Sequence, residues 1–176
     1  MGAHVFVDET QQRGYLLVAA AVEPAGLHTA RRVLHDLVLP GQRRLHMQKE
    51  SDPRRRQILS ALVGLSDVQV LIYDASGHRS AKTARPACLA ALVADLAKAG
   101  ASRLVVELDE SVVLADQRVI YRQVHAEGIA DALRYDHLRA HQEILLALPD
   151  AVAWSWAKGG RWRAAVRQLV AEVREV

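Results

Sequence analysis

A single cysteine, Cys88, stands in a chain of 176 residues. No disulfide can form within the chain, and this usage fits a reducing cytoplasm. Cys88 falls in an apolar helical pattern, which reads as core rather than nucleophile. No apolar run approaches the ~20 residues that a membrane span needs. The N-terminus has no basic stretch followed by an apolar one, so no secretory leader is expected. There is no Cys/His cluster for structural zinc, no glycine-rich phosphate loop and no internal repeat. What is left is a cytoplasmic globular enzyme or binding module.

With 51% hydrophobic and 24% charged residues, the chain can bury a core of ordinary size, and residues 1–176 read as a single domain. Its net charge of +3 and pI near 9.3 are compatible with nucleic acid without establishing it. Arg43 and Arg44, then Arg54, Arg55 and Arg56, flank the segment Leu45 to Glu50, and Arg161, Arg163 and Arg167 follow near the C-terminus. A solvated helix face explains each cluster as well as a phosphate contact does.

The segment Ala3 to Glu9 alternates β-branched residues and reads as a strand ending in two acids, Asp8 and Glu9. Tyr15 to Val22 is nearly all apolar and predicts a second strand, paired with the first as a hairpin. Helical spacing follows at Leu27, Ala30, Leu34 and Leu37. Another helix is predicted from Ser51 or Asp52, with Pro53 in its first turn. Val68 to Tyr73 is a third strand, and Asp74 to Thr83 a loop. Pro86 is expected to start a helix that Gly100 ends. Arg103 to Glu107 is a fourth strand, Val119 to Val124 a short helix, and Leu133 to Leu138 a weaker fifth strand. A helical pattern from Glu143 to Lys158 is interrupted at Pro149. Trp162, Val166, Leu169, Val170 and Val173 predict a last amphipathic helix. Strands alternating with crossover-length helices make an α/β layer fold with a mixed sheet.

Three acids fall where acids are normally excluded. Asp8 and Glu107 end strands, and ligands bind at carboxyl ends of strands in open α/β sheets. Asp150 lies in an otherwise apolar stretch, Leu148-Pro149-Asp150-Ala151-Val152, where an acid is paired, capping or metal-bound. A polar turn accounts equally for Asp8 and Glu9, and helix capping for Asp150. If the first and fourth strands are parallel neighbours, Asp8 and Glu107 share a cleft that a crossing helix completes with Asp150. Such carboxylates repel one another unless a divalent cation sits among them.

The layout resembles the ribonuclease H-like superfamily. More narrowly, it resembles an uncharacterised prokaryotic family, a domain of unknown function, that opens with a strand ending in Asp-Glu-Ser-Gly. Here that motif reads Phe6-Val7-Asp8-Glu9-Thr10-Gln11, with Thr10 for Ser and Gln11 for Gly. The family's Leu-His motif and nearby acid are matched by Leu45-His46-Met47 and Glu50, and its late Asp by Asp150. The resemblance implies a five-stranded mixed sheet with helices on both faces and a helical insertion after strand two. It implies metal-binding carboxylates Asp8, Glu107 and Asp150 holding Mg²⁺ or Mn²⁺, with Glu9, His46, Glu50 and Asp109 as second candidates. His46 reads equally as a proton shuttle or metal ligand and as a half-buried structural histidine.

The function so implied is metal-dependent cleavage of nucleic acid, DNA or RNA. The alternative is a non-catalytic module on the same fold that binds nucleic acid or protein. Trp154, Trp156 and Trp162 read as core, base-stacking platforms or the contact of a homodimer.

Overall fold

The computed structural model describes residues 2–176. Six strands form one sheet: β1 (His4–Thr10), β2 (Leu16–Val22), β3 (Val68–Asp74), β4 (Arg103–Glu107), β5 (Arg134–Leu138) and β6 (Val170–Glu175). Their order is β5-β4-β1-β2-β3-β6. β1 pairs with β4, β4 with β5 and β3 with β6 in parallel; β2 runs against both β1 and β3. The hairpin between β1 and β2 closes at Gly14, whose φ is 88°, and a Cβ there would meet Ser76 Cβ at 2.4 Å.

Helices cover both faces. α1 (Leu27–Leu37), α2 (Asp52–Val63), α5 (Ala147–Lys158) and α6 (Gly160–Val166) lie on one face. Their Leu34, Leu62, Leu148 and Val152 pack with Phe6, Val18, Ile72 and Val105. α3 (Ala81–Ala99) and α4 (Val113–Ala126) lie on the other. There Leu89, Leu92 and Ile120 meet Val5, Val7, Leu17, Leu104 and Val106. Period-two alternation along β1 thus feeds two cores, each fully buried large side chain contributing about 1.5–3 kcal/mol. Cys88 is buried in the second, and burial pushes its thiol up to about 12, so it is inert at neutral pH.

Three local expectations are corrected. The sheet has six strands rather than five, because the C-terminal segment is not one helix. α6 stops at Val166, and residues from Val170 onward pair with the open edge of β3. The spacing Val166, Val170, Val173 suits a helix, but β-branched residues beside an unpaired strand gain a hydrogen-bond ladder instead. α3 begins at Ala81, so Pro86 lies inside it. Pro86 lacks one N–H, while Ser80 accepts the first helical bonds and Arg85 anchors the turn. Pro149 does not interrupt α5 but sits in its first turn, after a 3₁₀ turn over Ile144–Leu146 that the Glu143 side chain caps.

Candidate metal and phosphate cleft

β1 and β4 are parallel neighbours, with Val7 opposite Val106. The next residues along, Asp8 and Glu107, emerge at the carboxyl edge on the face of α5. That helix packs across β1 and β2 and presents Asp150 from its first turn. A cleft of about 570 Å³ results, lined among others by Asp8, Glu9, Arg44, His46, Glu107 and Asp150.

Within it the acids have different partners. Asp8 Oδ1 accepts a hydrogen bond from the Glu9 backbone N–H at 2.7 Å. Burial, then the charges of Glu107 and Asp150, hold its carboxyl well above the usual carboxylate range, and hydrogen bonding with Glu107 favours the protonated form further. Glu107 Oε1 accepts from Arg44 Nη1 at 2.8 Å. Asp150 caps no turn of its own helix: its Oδ2 accepts from the Met47 backbone N–H at 2.9 Å. His46 Nδ1 stands 3.4 Å from Asp150 Oδ1 and forms no hydrogen bond.

The segment carrying Arg44 and His46 is positioned by its apolar residues and by α2. Leu45 and Met47 are buried in the core. Arg55 donates to the carbonyls of Met47 and Gln48 at 2.8 and 2.9 Å and stacks on Trp154 at 4.3 Å. Arg54 donates to the Leu37 carbonyl and approaches Glu50. These two arginines are therefore structural braces, not members of a solvated face.

Of the second candidates, Glu9 and Asp109 line the cleft but are committed elsewhere. Asp109 Oδ1 accepts from the Ser111 backbone N–H and hydroxyl, which lowers its pKa and fixes the turn into α4. Glu50 is buried outside the cleft, held by Gln42 and Arg54. Glu9 points to the opposite face and meets Arg85 at 2.7 Å. Arg85 also binds Asp116 in two-pronged fashion at 2.7 and 2.8 Å, and His137 Nε2 lies 3.1 Å from Asp116 Oδ2. Burial of Asp116 disfavours its charge, but Arg85 and His137 prevail and hold its pKa below the usual range. Sequence reading missed Arg85, Asp116 and His137, and it named Arg44 without its partner Glu107. One signal was available: Arg85 falls in register with Cys88, Leu89, Leu92 and Leu96, the apolar stripe of its helix.

A divalent cation suits the donor set in kind. Asp8, Glu107 and Asp150 are hard oxygen donors from three elements, and the raised pKa of Asp8 reflects burial first and then repulsion from the other two, which a cation would relieve. Arg44 competes for Glu107. Among the described residues, no three His, Cys, Asp or Glu side chains are gathered closely enough to hold a metal ion as they stand.

Trp154 and Trp162 are buried and pack edge to face, with centroids 5.2 Å apart, so neither is a free platform for a base. No helix is long and apolar enough to cross a membrane, among the described residues.

No protein-family model and no curated protein matches the chain. One similar solved structure is that of the PCNA:RNase HII complex from Archaeoglobus fulgidus, through its RNase HII. The TM-score is 0.59 at 12% identity, over 96% of this chain and 77% of that one. The likeness shows an α/β fold with a mixed six-stranded sheet similar to that of RNase HII.

Proposed function

We propose that this protein is a divalent-metal-dependent, nuclease-like phosphodiester hydrolase acting on nucleic acid. The observation that carries the reading is the meeting of Asp8, Glu107 and Asp150, from β1, β4 and α5, in one cleft at the carboxyl edge of the sheet. The ribonuclease H-like fold supports it. So does the resemblance of Asp8-Glu9-Thr10-Gln11 to an Asp-Glu-Ser-Gly opening.

Asp8, Glu107 and Asp150 would hold Mg²⁺ or Mn²⁺. Bound there, such an ion lowers the pKa of water and stabilises charge on a phosphodiester's oxygens. The chain's own groups do the rest. Arg44, released from Glu107, offers a planar guanidinium to a phosphate. His46 lines the cleft with its Nδ1 buried against Asp150, which leaves Nε2 as the nitrogen that would accept or donate a proton. The backbone N–H of Met47 keeps Asp150 turned toward the cleft.

Labelled single- and double-stranded DNA and RNA, incubated with Mn²⁺, with Mg²⁺ and with chelator, provide the test. Cleavage that needs the ion and disappears in Asp8→Asn is the expected result. Equal cleavage by Asp8→Asn, or none by the wild type on any substrate, rejects the assignment. The Arg44–Glu107 contact favours a second reading, a binding module whose acids are neutralised from within. It predicts metal-independent binding and no cutting.

A further inference from the structure

Beside the acidic cleft lies a second cavity of about 550 Å³, lined by Gln42, Arg43, Arg44, His46, Lys49 and His141. No carboxylate lines it. The acid nearest in sequence, Glu50, is turned to Gln42 and Arg54. Three permanent cations and two imidazoles therefore converge, and of the cations only Arg44 is answered by a carboxylate, Glu107. Like charges gathered in this way repel, and the arrangement is relieved when an anion enters.

Local structure explains why the donors stay in place. α1 ends at Leu37, and Gly41, at φ 82°, turns the chain back. The backbone N–H of Leu39 donates to Gln42 Oε1 at 3.1 Å, and Leu45 and Met47 pin the segment to the core. Arg43, Lys49 and His141 are exposed, and among the described residues their side chains make no hydrogen bond or ion pair. Arg44 uses one nitrogen on Glu107 and has others free.

The cavity and the cleft share Arg44 and His46. Because these two side chains border both, a linear polyanion with one phosphate over the acids would run on past the basic cavity. We infer that this cavity binds a phosphate of the nucleic-acid strand, adjacent to the one in the acidic cleft. The inference rests on the nucleic-acid reading of the cleft, and it extends that reading to a subsite formed by Arg43, Lys49 and His141. Nucleic-acid strand and free phosphate offer the same chemistry, and the test separates them.

The full chain is used in chelator, so that nothing is cut. Melting is followed with inorganic phosphate against chloride at equal ionic strength, and binding with fluorescent DNA and RNA oligonucleotides over a salt series. Phosphate should raise the Tm of the wild type but not of the double variant Arg43→Ala/Lys49→Ala. That variant should bind oligonucleotides about tenfold more weakly, because water only partly replaces the lost charge-assisted bonds. Its plot of log affinity against log salt should flatten by about 1–2. Unchanged oligonucleotide affinity and slope overturn the inference. Loss of the phosphate effect alone, with oligonucleotide affinity intact, also overturns it and leaves a free-phosphate site. A protein that cuts nothing with any metal, yet binds strands through Arg43 and Lys49, keeps this subsite and loses the hydrolase reading.

Discussion

Asp8 and Glu9 are chain neighbours on β1, yet the strand's alternation sends them to opposite faces. Glu9 meets a guanidinium that also grips Asp116. Asp8 meets two more carboxylates. One cluster has its charges answered by the chain itself. The other has an excess of negative charge that a ligand would answer. The first is satisfied within the fold, and the second sacrifices some stability to repulsion, as groups kept for binding do.

The largest effect should come from breaking the answered cluster. Arg85→Met takes the shared guanidinium from Asp116 and Glu9 and leaves buried Asp116 with His137 alone. Removing one partner of such a pair costs about 3–5 kcal/mol. Urea denaturation measures it. Arg85→Met/Asp116→Leu should recover most of the loss, since apolar replacement of a whole buried pair is often neutral. If the single variant lost less than ~1 kcal/mol, a value usual for ordinary substitutions, the two clusters would not differ as argued.

Next is the ion. Mn²⁺ should stabilise the wild type, by about 2.7 kcal/mol when its free concentration is a hundredfold above Kd. Asp8→Asn should show little of this. A shift of equal size in both proteins would place the metal elsewhere.

A smaller effect separates the clusters by pH. The pKa of Asp8 is raised, so its contribution to stability is complete below the ordinary 3.8 and is lost as pH rises through the folded value. The pKa of Asp116 is depressed, so its contribution is complete above 3.8 and is lost as pH falls through the folded value. Asp8→Asn, without metal, should therefore melt above the wild type at pH 7, by a few degrees at roughly 2–4 °C per kcal/mol for this length. The gap should close towards pH 4. A gap that is constant with pH would mean that Asp8 is not held in repulsion.

The contrast between the two faces explains what the sequence disclosed. Period-two alternation and apolar runs marked five of the strands, and crossover length made β4 parallel to an earlier strand, but that its neighbour is β1 comes from the fold. Given that pairing, the placement of Asp8 and Glu107 follows from strand register. Asp150 stood out because everything around it is apolar. The partners were not legible. Arg44 reaches Glu107 across 63 positions and Arg85 reaches Glu9 across 76, and contacts that distant leave no local pattern. β6 was hidden for a related reason. Its residues satisfy both a helical and an extended reading, and only the open edge of β3 decides between them.

The smallest effect on stability, and the sharpest test of the comparison, belongs to Arg44→Ala. Arg44 and Glu107 form an ion pair like Arg85 and Asp116, but 31% of one side chain and 22% of the other are exposed, against 9% and 2%. Water can replace the lost partner, so stability should change by about 0.2–1 kcal/mol at most. Binding should change more, and in two directions. Freed of its competitor, Glu107 should take Mn²⁺ at a lower concentration, seen as a melting shift that saturates earlier. Oligonucleotide affinity in chelator should fall, because the same guanidinium borders the basic cavity. If Mn²⁺ bound no more tightly, Arg44 would not be competing for that carboxylate. Its contact with Glu107 would then be a second satisfied pair, and the difference between the two faces would reduce to burial alone.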